Sequence, residues 1–318
     1  MSEVNNNLGT LKSKIIEIIA DCSGDIDQNA KSVQKWFSSG EYLKELQKYK
    51  ENQETEEKMD SIVEKLREML PWEAVLPTEN ITNPVSGPNS DCTSENTHHL
   101  DGFLYDDTEV YKMLEDKDIK QRFCSDCGSR NIEDINVISH SLSRQKLQYV
   151  FKVLLPKDCS TSKILDVGSR IGAVLYGAYF YTNAAQIFGI ELNKELCDIQ
   201  NKIISAHDMA SRIKVINGDI SEQEDIVATS DIVILNNVFE FFMDREAQIK
   251  IWRFLKKTLK KGSIVITVPS LEESLDDLDI YEEFSNWIEK IPAYQENNMH
   301  FDEETMLSFH DIYLYTVK

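Results

Sequence analysis

The sequence predicts an α/β fold in which a mostly parallel β-sheet is covered by helices on both faces. Short runs rich in β-branched residues alternate with helix-compatible stretches through the second half of the chain. A glycine-containing turn follows the first of these runs and opens a helix. Acidic residues end the next two runs, at the sheet edge where open α/β sheets bind ligands.

The expected elements follow one another in strict order. The strands are KILDVG, QIFGIEL, IKVINGD, DIVILNNV and SIVITVPS, with HDIYLYTVK as a last one. Helices are predicted near 173–182, 194–210 and 244–259, and a further helix ends before Pro156. Apolar runs of this length are typical of strands that are buried on both faces.

The rest of the chain has a different character. Apolar residues at helical spacing predict three or four short helices in an N-terminal helical region, 1–76. Residues 77–99 are rich in Pro, Asn, Ser and Thr and are expected to form a flexible linker. A cap segment with a CxxC motif occupies 100–142, and the main domain covers 143–318. The N-terminal helices are expected to pack on that domain or to bind a partner protein.

Composition limits the possible functions. The chain has 318 residues, a length that suggests two domains, and its 41% hydrophobic and 28% charged residues are ordinary for a globular protein. A formal net charge of −21 disfavours binding to nucleic acid or to anionic membranes, since like charges repel. Neither a secretory leader nor a membrane-spanning run is recognisable, so an intracellular, cytoplasmic location is expected, with the nucleus left open.

The residues that carry chemistry lie at the ends of the first three strands. Asp166, Gly168 and Gly172 belong to the turn DVGSRIG, where glycine lets the backbone approach a ligand. Glu191 follows at about the 20-residue interval expected of a carboxylate that accepts both ribose hydroxyls. Asp219 ends the third strand at the same edge.

With these pieces, residues 143–270 resemble the class I S-adenosylmethionine-dependent methyltransferases of the broad "type 11" group. The stretches DVGSRIG, GIEL, NGDI and DIVILNNVFEFFMD stand in the order of that family's motifs, and LKKTLKKGSIVITVPS resembles its turn before strand five. The resemblance implies a Rossmann-like, seven-stranded class I sheet and S-adenosyl-L-methionine as the cofactor.

The resemblance also implies roles for particular residues. Gly168 and Gly172 would line the methionine part of the cofactor, with Asp166 supporting the loop. Glu191, with Leu192 beside it, would hold the ribose. The remaining cofactor residues would be Asp219 at the adenine amino group, Ile220 on the adenine ring and Asn236 at the methionine end. The substrate-facing residues would be Asn237, Phe239, Glu240 and Phe241.

Two departures from the family pattern leave the catalytic residues unassigned. Arg170 replaces the middle glycine of the turn, so either its side chain points away from the cofactor or the site is altered. Phe241 replaces a histidine found in many relatives, which removes the most obvious general base. Methyl transfer from a sulfonium needs mainly in-line placement, so activity remains compatible with this loss. The alternatives are an inactive methyltransferase fold that acts as a binding module and, less favoured, a dinucleotide-binding dehydrogenase.

Two further features concern a metal and the acceptor. Cys124 and Cys127 resemble half of a zinc ribbon, but the other half is missing, so no metal is expected. His140 is expected to be satisfied by backbone groups. The acidic 271–304 stretch and residues 100–145 are candidates for an acceptor site, and their carboxylates favour a cationic acceptor, in a protein segment or a small amine, unless they form a solvated loop.

Overall fold

A computed structural model describes residues 2–82, 84, 89–93, 96–116, 122–124, 132–134, 136–294 and 301–318. The chain divides into two units, Met1–Asp60 and Ser61–Lys318. The described helices are α1 Ser2–Asp21, α2 Ile26–Ser39, α3 Glu41–Met69, α4 Asp107–Asp116, α5 Arg144–Tyr149, α6 Ala173–Tyr181, α7 Lys194–Ala206, α8 Glu224–Thr229, α9 Arg245–Thr258, α10 Leu271–Asp276, α11 Tyr281–Phe284 and α12 Glu303–Leu307. The described strands are β1 Thr97–His99, β2 Arg122–Cys124, β3 Ile132–Asp134, β4 Asn136–Ile138, β5 Lys163–Val167, β6 Gln186–Glu191, β7 Ile213–Asn217, β8 Ile232–Asn236, β9 Ile264–Val268, β10 Ile288–Lys290 and β11 Tyr313–Val317.

The N-terminal unit is helical, as the periodicity predicts. Asp25 caps α2 by accepting the backbone N–H of Gln28 at 3.0 Å. Gly40 ends α2 in the left-handed conformation, at φ +75°, which a glycine adopts without strain. The structure differs from the sequence-based prediction in one respect: α3 runs unbroken through 29 residues, because no glycine or proline interrupts it.

The second unit contains the predicted seven-stranded sheet, with strands in the order β10-β11-β9-β8-β5-β6-β7. The strands β5 to β9 pair in parallel, and β11 is antiparallel to both of its neighbours. The predicted α/β fold class is therefore confirmed. The order reverses beside β5, because β6 and β7 extend to one side and β8 and β9 to the other. The cleft at such a reversal is the usual ligand site of an open sheet.

The core explains why the central strands are mostly apolar. Leu165 of β5, Val233 of β8 and Val265 of β9 are completely buried in one cluster, together with Trp252 and Leu255 of α9. Burial of such side chains contributes about 1.5–3 kcal/mol each. Among the described residues, no helix combines the length and the apolar character that crossing a membrane requires.

Two small sheets precede the main one. The strand β1 pairs in parallel with β4, with His99 opposite Ile138, and β2 pairs with β3. The prediction about the CxxC motif concerns Cys127, which lies outside the described residues, so the metal-free reading stays a prediction.

Candidate functional site

The turn after β5 requires glycine at two points. Gly168 has a φ of +71°, and a Cβ there would lie 2.3 Å from Cγ2 of Val238. Gly172 has a φ of +91°, and a Cβ there would lie 2.6 Å from the ring of Tyr176. The backbone N–H groups of Gly168 and Ser169 both donate to the carbonyl of Ile190. The turn is thus tied to β6 and has no room for larger residues.

Arg170 also has a positive φ in this turn, at +45°. Its guanidinium donates to Glu79 Oε1 at 2.9 Å, to Asp101 Oδ2 at 2.6 Å and to the carbonyl of Ala74. All three charged side chains are buried, with exposed fractions of 7%, 3% and 1%. The Arg170 guanidinium is thus bound by protein groups, while the residue still lines the cavity beside Glu191, so both alternatives, a side chain that points away from the cofactor and an altered site, stay open.

Glu191 ends β6 with both carboxylate oxygens held by backbone. Oε2 accepts the N–H of Arg170 at 2.9 Å, and Oε1 accepts the N–H of Asn193 at 2.8 Å. Burial raises the pKa of this carboxyl, and Glu79 raises it further, whereas the two backbone hydrogen bonds and Arg170 lower it. Each oxygen has a second lone pair, so the carboxylate can still accept two ligand hydroxyls.

Asp166 lies beneath this turn rather than in the cavity. Its side chain is fully buried, and burial together with the nearby Glu191 raises the pKa of its carboxyl well above the ordinary value. This placement suits the supporting role that the resemblance implies for Asp166.

A cavity of about 270 Å³ runs along the sheet edge beside Glu191. Leu192, Asp219 and Ile220 line it on the β6 and β7 side, and Asn236 lines it at the end of β8. Asp219 binds Ser221 through Oδ1 only, at 2.8 Å to the backbone nitrogen and 2.7 Å to the hydroxyl. The predicted cofactor residues that line this cavity are Gly168, Glu191, Leu192, Asp219, Ile220 and Asn236; Gly172 and Asp166 do not.

The loop after β8 separates this cavity from a larger groove of about 930 Å³. Asn237 and Phe239 line both spaces, and Glu240 lines the groove. Phe241 differs from the expectation of a substrate-facing side chain, because its ring is buried and lines neither space. It packs edge-on against the imidazoles of His140 and His99, with centroids 5.3 Å and 6.0 Å away.

The expectation that backbone groups satisfy His140 is wrong: its ring pairs with His99 behind Phe241, and its Nδ1 has no hydrogen-bond partner among the described residues. His99 Nδ1 and His140 Nε2 are 2.9 Å apart, and the β1–β4 pairing brings the two residues together. The carbonyl of His140 accepts the side-chain N–H of Asn236 at 3.2 Å, and His140 lines the cavity. Burial lowers the pKa of both imidazoles, His140 more strongly, and Arg170 lowers both further. The pair therefore stays neutral near pH 7.

The segment expected as a flexible linker also contributes to the site. Thr78, Glu79 and Asn80 line the cavity. Thr78 accepts the side-chain N–H of Asn193 at 3.0 Å, and the backbone N–H of Thr82 donates to the carbonyl of Phe241 at 2.8 Å. The polar residues that suggested a linker are here hydrogen-bond partners of the sheet edge. The one sequence signal that could have placed this segment at the site is the carboxylate of Glu79. A buried arginine such as Arg170 requires an opposite charge beside it.

The donor set fits S-adenosylmethionine. The turn at Gly168 and Gly172 leaves no space for a Cβ, Glu191 retains free lone pairs, and Ile220 and Leu192 offer apolar surface beside Asp219. Together with the strand order, these features match those expected of a class I methyltransferase domain with a Rossmann-like sheet.

The comparisons agree with this assignment. Residues 165–267 match a family model described as a methyltransferase domain. Over these residues the match confirms the methyltransferase domain expected from the motifs. No curated protein matches the chain.

Three of the solved structures that are similar to this chain match it at low sequence identity. An RNA methyltransferase from Salinibacter ruber in complex with S-adenosyl-L-homocysteine is 16% identical, over 54% of this chain and 85% of that one, with a TM-score of 0.33. Precorrin-6y C5,15-methyltransferase from Geobacter metallireducens GS-15 is 14% identical over 56% and 90%, with a TM-score of 0.39. PKMT2 from Rickettsia typhi is 25% identical over 40% and 25%, with a TM-score of 0.32. At these TM-scores none of the three supports an argument about the acceptor.

Proposed function

We propose that this protein is an S-adenosylmethionine-dependent methyltransferase that acts on a protein or small-molecule acceptor. The observation that carries the proposal is the contact between the two spaces at the end of β8. The cofactor cavity and the larger groove share Asn237, Val238, Phe239, Phe242 and Met243 as lining residues. A molecule in the groove would therefore meet the methionine end of a cofactor held beside Glu191.

Different residues are assigned to the parts of the cofactor and to the acceptor. Glu191 would accept hydrogen bonds from the ribose hydroxyls, Asp219 would accept one from the adenine amino group, and Ile220 and Leu192 would pack beside the adenine and ribose. Gly168 and Gly172 keep the turn narrow, and Asn236 binds at the methionine end. The bound cofactor supplies an electrophilic methyl group on a sulfonium. Asn237, Phe239 and Glu240 position the acceptor, and in-line placement supplies most of the rate enhancement.

The second candidate function is a methyltransferase fold that binds the cofactor without transferring its methyl group. Phe241 favours it, because no histidine stands at that position. The neutral His140 beside Phe241 favours activity, since it places an imidazole next to the same loop.

A transfer assay separates the two candidates. The protein is incubated with methyl-labelled cofactor and cell extract fractionated into protein, RNA and small-molecule pools, with Glu191→Ala as the control. We expect label in the protein or the small-molecule pool, and loss of that label with the variant. Label chiefly in RNA would refute the acceptor assignment, and cofactor binding without label in any pool would favour the binding module.

We also propose that residues 1–76 bind a partner protein. Large apolar side chains on α1 and α3 favour this proposal, because Ile16, Ile18, Leu43 and Tyr49 are each more than half exposed. Replacing Ile16 and Leu43 by Gln should release the partner in a cross-linking experiment and leave cofactor affinity unchanged. Unchanged cross-linking would contradict this proposal.

A further inference from the structure

The groove beside the cofactor cavity is lined by carboxylates from separate elements. They are Glu240 in the loop after β8, Asp244 at the start of α9, Glu273 and Asp277 on and after α10, and Asp311 before β11. Among the described lining residues, Arg245 is the one side chain with a permanent positive charge. Its guanidinium donates to the Asp277 carbonyl and to the Asp279 carboxylate, so it leaves most of the lining charge unneutralised.

These carboxylates disfavour one another's ionisation. Burial raises the pKa of Asp277, and the charges of Glu273 and Asp276 raise it further, against a lowering by Arg245. Burial likewise raises the pKa of Glu240, and the charge of Asp277 adds to this, whereas hydrogen bonds from Asn89 and Asn237 lower it. A cation placed among these groups would relieve the repulsion.

A second, independent feature also indicates a ligand. Thr267 of β9 lines the groove with only 3% of its surface exposed, and its hydroxyl has no hydrogen-bond partner in the described part of the chain. Asp311 shows the same feature in one oxygen: Oδ2 accepts Lys146 Nζ at 2.7 Å, and the buried Oδ1 has no partner among the described residues. Buried polar atoms of this kind are ordinarily satisfied, so these two atoms at the groove wall indicate a partner that the described residues do not supply.

We propose that this groove binds a lysine side chain carried on a polypeptide, and that Glu240 receives its amino group beside the cofactor cavity. The inference rests on the proposed methyltransferase function. Phe242 and Tyr313 line the same groove, and aromatic rings accommodate both the methylene stem and the cationic head of lysine. The groove has more than three times the volume of the cofactor cavity, and its carboxylates extend over several elements, which suits a chain of residues better than a small amine.

Lysine fits the chemistry better than arginine. A guanidinium keeps its proton throughout the accessible pH range, whereas an ammonium group can pass its proton to a neighbouring carboxylate such as Glu240, whose pKa burial raises. The proton passes from the ammonium to the Glu240 carboxylate, which frees a nitrogen lone pair. That nitrogen forms a bond to the methyl carbon as the methyl–sulfur bond breaks, with its electron pair left on sulfur. The product keeps one positive charge, and Glu240 releases the proton to solvent through the groove.

The test uses the full chain and two pools of ten-residue peptides, with lysine or norleucine at the centre and uncharged residues elsewhere. The variant Glu240→Gln, Asp277→Asn removes two groove charges. The matched control Glu222→Gln, Glu224→Gln removes two exposed charges that do not line the groove. Methyl label in each pool and calorimetric binding of S-adenosylhomocysteine are measured for all three proteins.

We expect the wild type to label the lysine pool at least tenfold more than the norleucine pool. The groove variant should lose at least tenfold of this labelling, the control less than twofold, and all three should bind S-adenosylhomocysteine within threefold of one another. Binding of S-adenosylhomocysteine without labelling of the lysine pool, or equal labelling by both variants, would overturn this inference alone. Failure of the wild type to bind S-adenosylhomocysteine would overturn the proposed function as well.

Discussion

Restoring the glycine that the methyltransferase family usually has at position 170 should destabilise this protein. The variant Arg170→Gly removes the guanidinium that neutralises Glu79 and Asp101. Both carboxylates are almost completely buried, so the substitution leaves two uncompensated charges in the interior.

The magnitude follows from two opposing effects. Breaking a buried ion pair by removing one partner costs about 3–5 kcal/mol. The substitution also relieves a residue held at a φ of +45°, which is worth about 1–2 kcal/mol. The expected net loss in the free energy of unfolding is therefore about 1–4 kcal/mol.

Equilibrium urea unfolding of the purified protein measures this loss. Adding Glu79→Gln and Asp101→Asn to Arg170→Gly removes the stranded charges and should recover at least half of the lost stability. An Arg170→Gly variant as stable as the wild type would refute the reasoning, and so would a triple variant no more stable than the single one.

Three further outcomes are expected. Gly168→Ala should weaken S-adenosylhomocysteine binding and lower the melting temperature, because the new Cβ would lie 2.3 Å from Val238. Adding Val238→Ala should restore part of both the affinity and the melting temperature. Failure of this rescue would contradict the steric explanation. The free energy of unfolding should fall as the pH drops below about 6.5, because His99 and His140 have a lower pKa in the folded than in the unfolded state. His140→Gln should make this dependence of stability on pH less steep. An unchanged pH dependence would exclude His140 as its source. Elemental analysis should find no zinc in the purified protein, and one zinc per chain that is lost with Cys124→Ser, Cys127→Ser would overturn that prediction.

The sequence predicts those parts of the fold that depend on local pattern. Buried strands such as β5 and β8 consist mostly of β-branched and other apolar residues, and the glycines of the turn after β5 stand where the backbone needs a positive φ. The three-residue strand β10 was missed, because its sequence, IEK, has no distinctive pattern.

The environment of the site depends on contacts between distant parts of the chain. Arg170 binds partners 69 to 96 residues away in sequence, and a local pattern does not reveal them. Thr78 and Glu79 were assigned to a linker because polar residues are common both in linkers and at ligand sites. His140 reaches the end of β8 through the β1–β4 pairing. Strands of three residues are too short for their pairing to be predicted from the sequence.

The central claim, that the cavity beside Glu191 binds S-adenosylmethionine, is tested most directly by calorimetric titration of the full chain with S-adenosylhomocysteine. We predict one site per chain and at least tenfold weaker binding by Glu191→Ala, because losing a carboxylate that accepts two hydrogen bonds costs about 1.5–3 kcal/mol. The exposed-site control Glu222→Gln should bind as the wild type does. Absence of binding by the wild type, an unchanged affinity of Glu191→Ala, or binding of NAD in place of S-adenosylhomocysteine would contradict the claim.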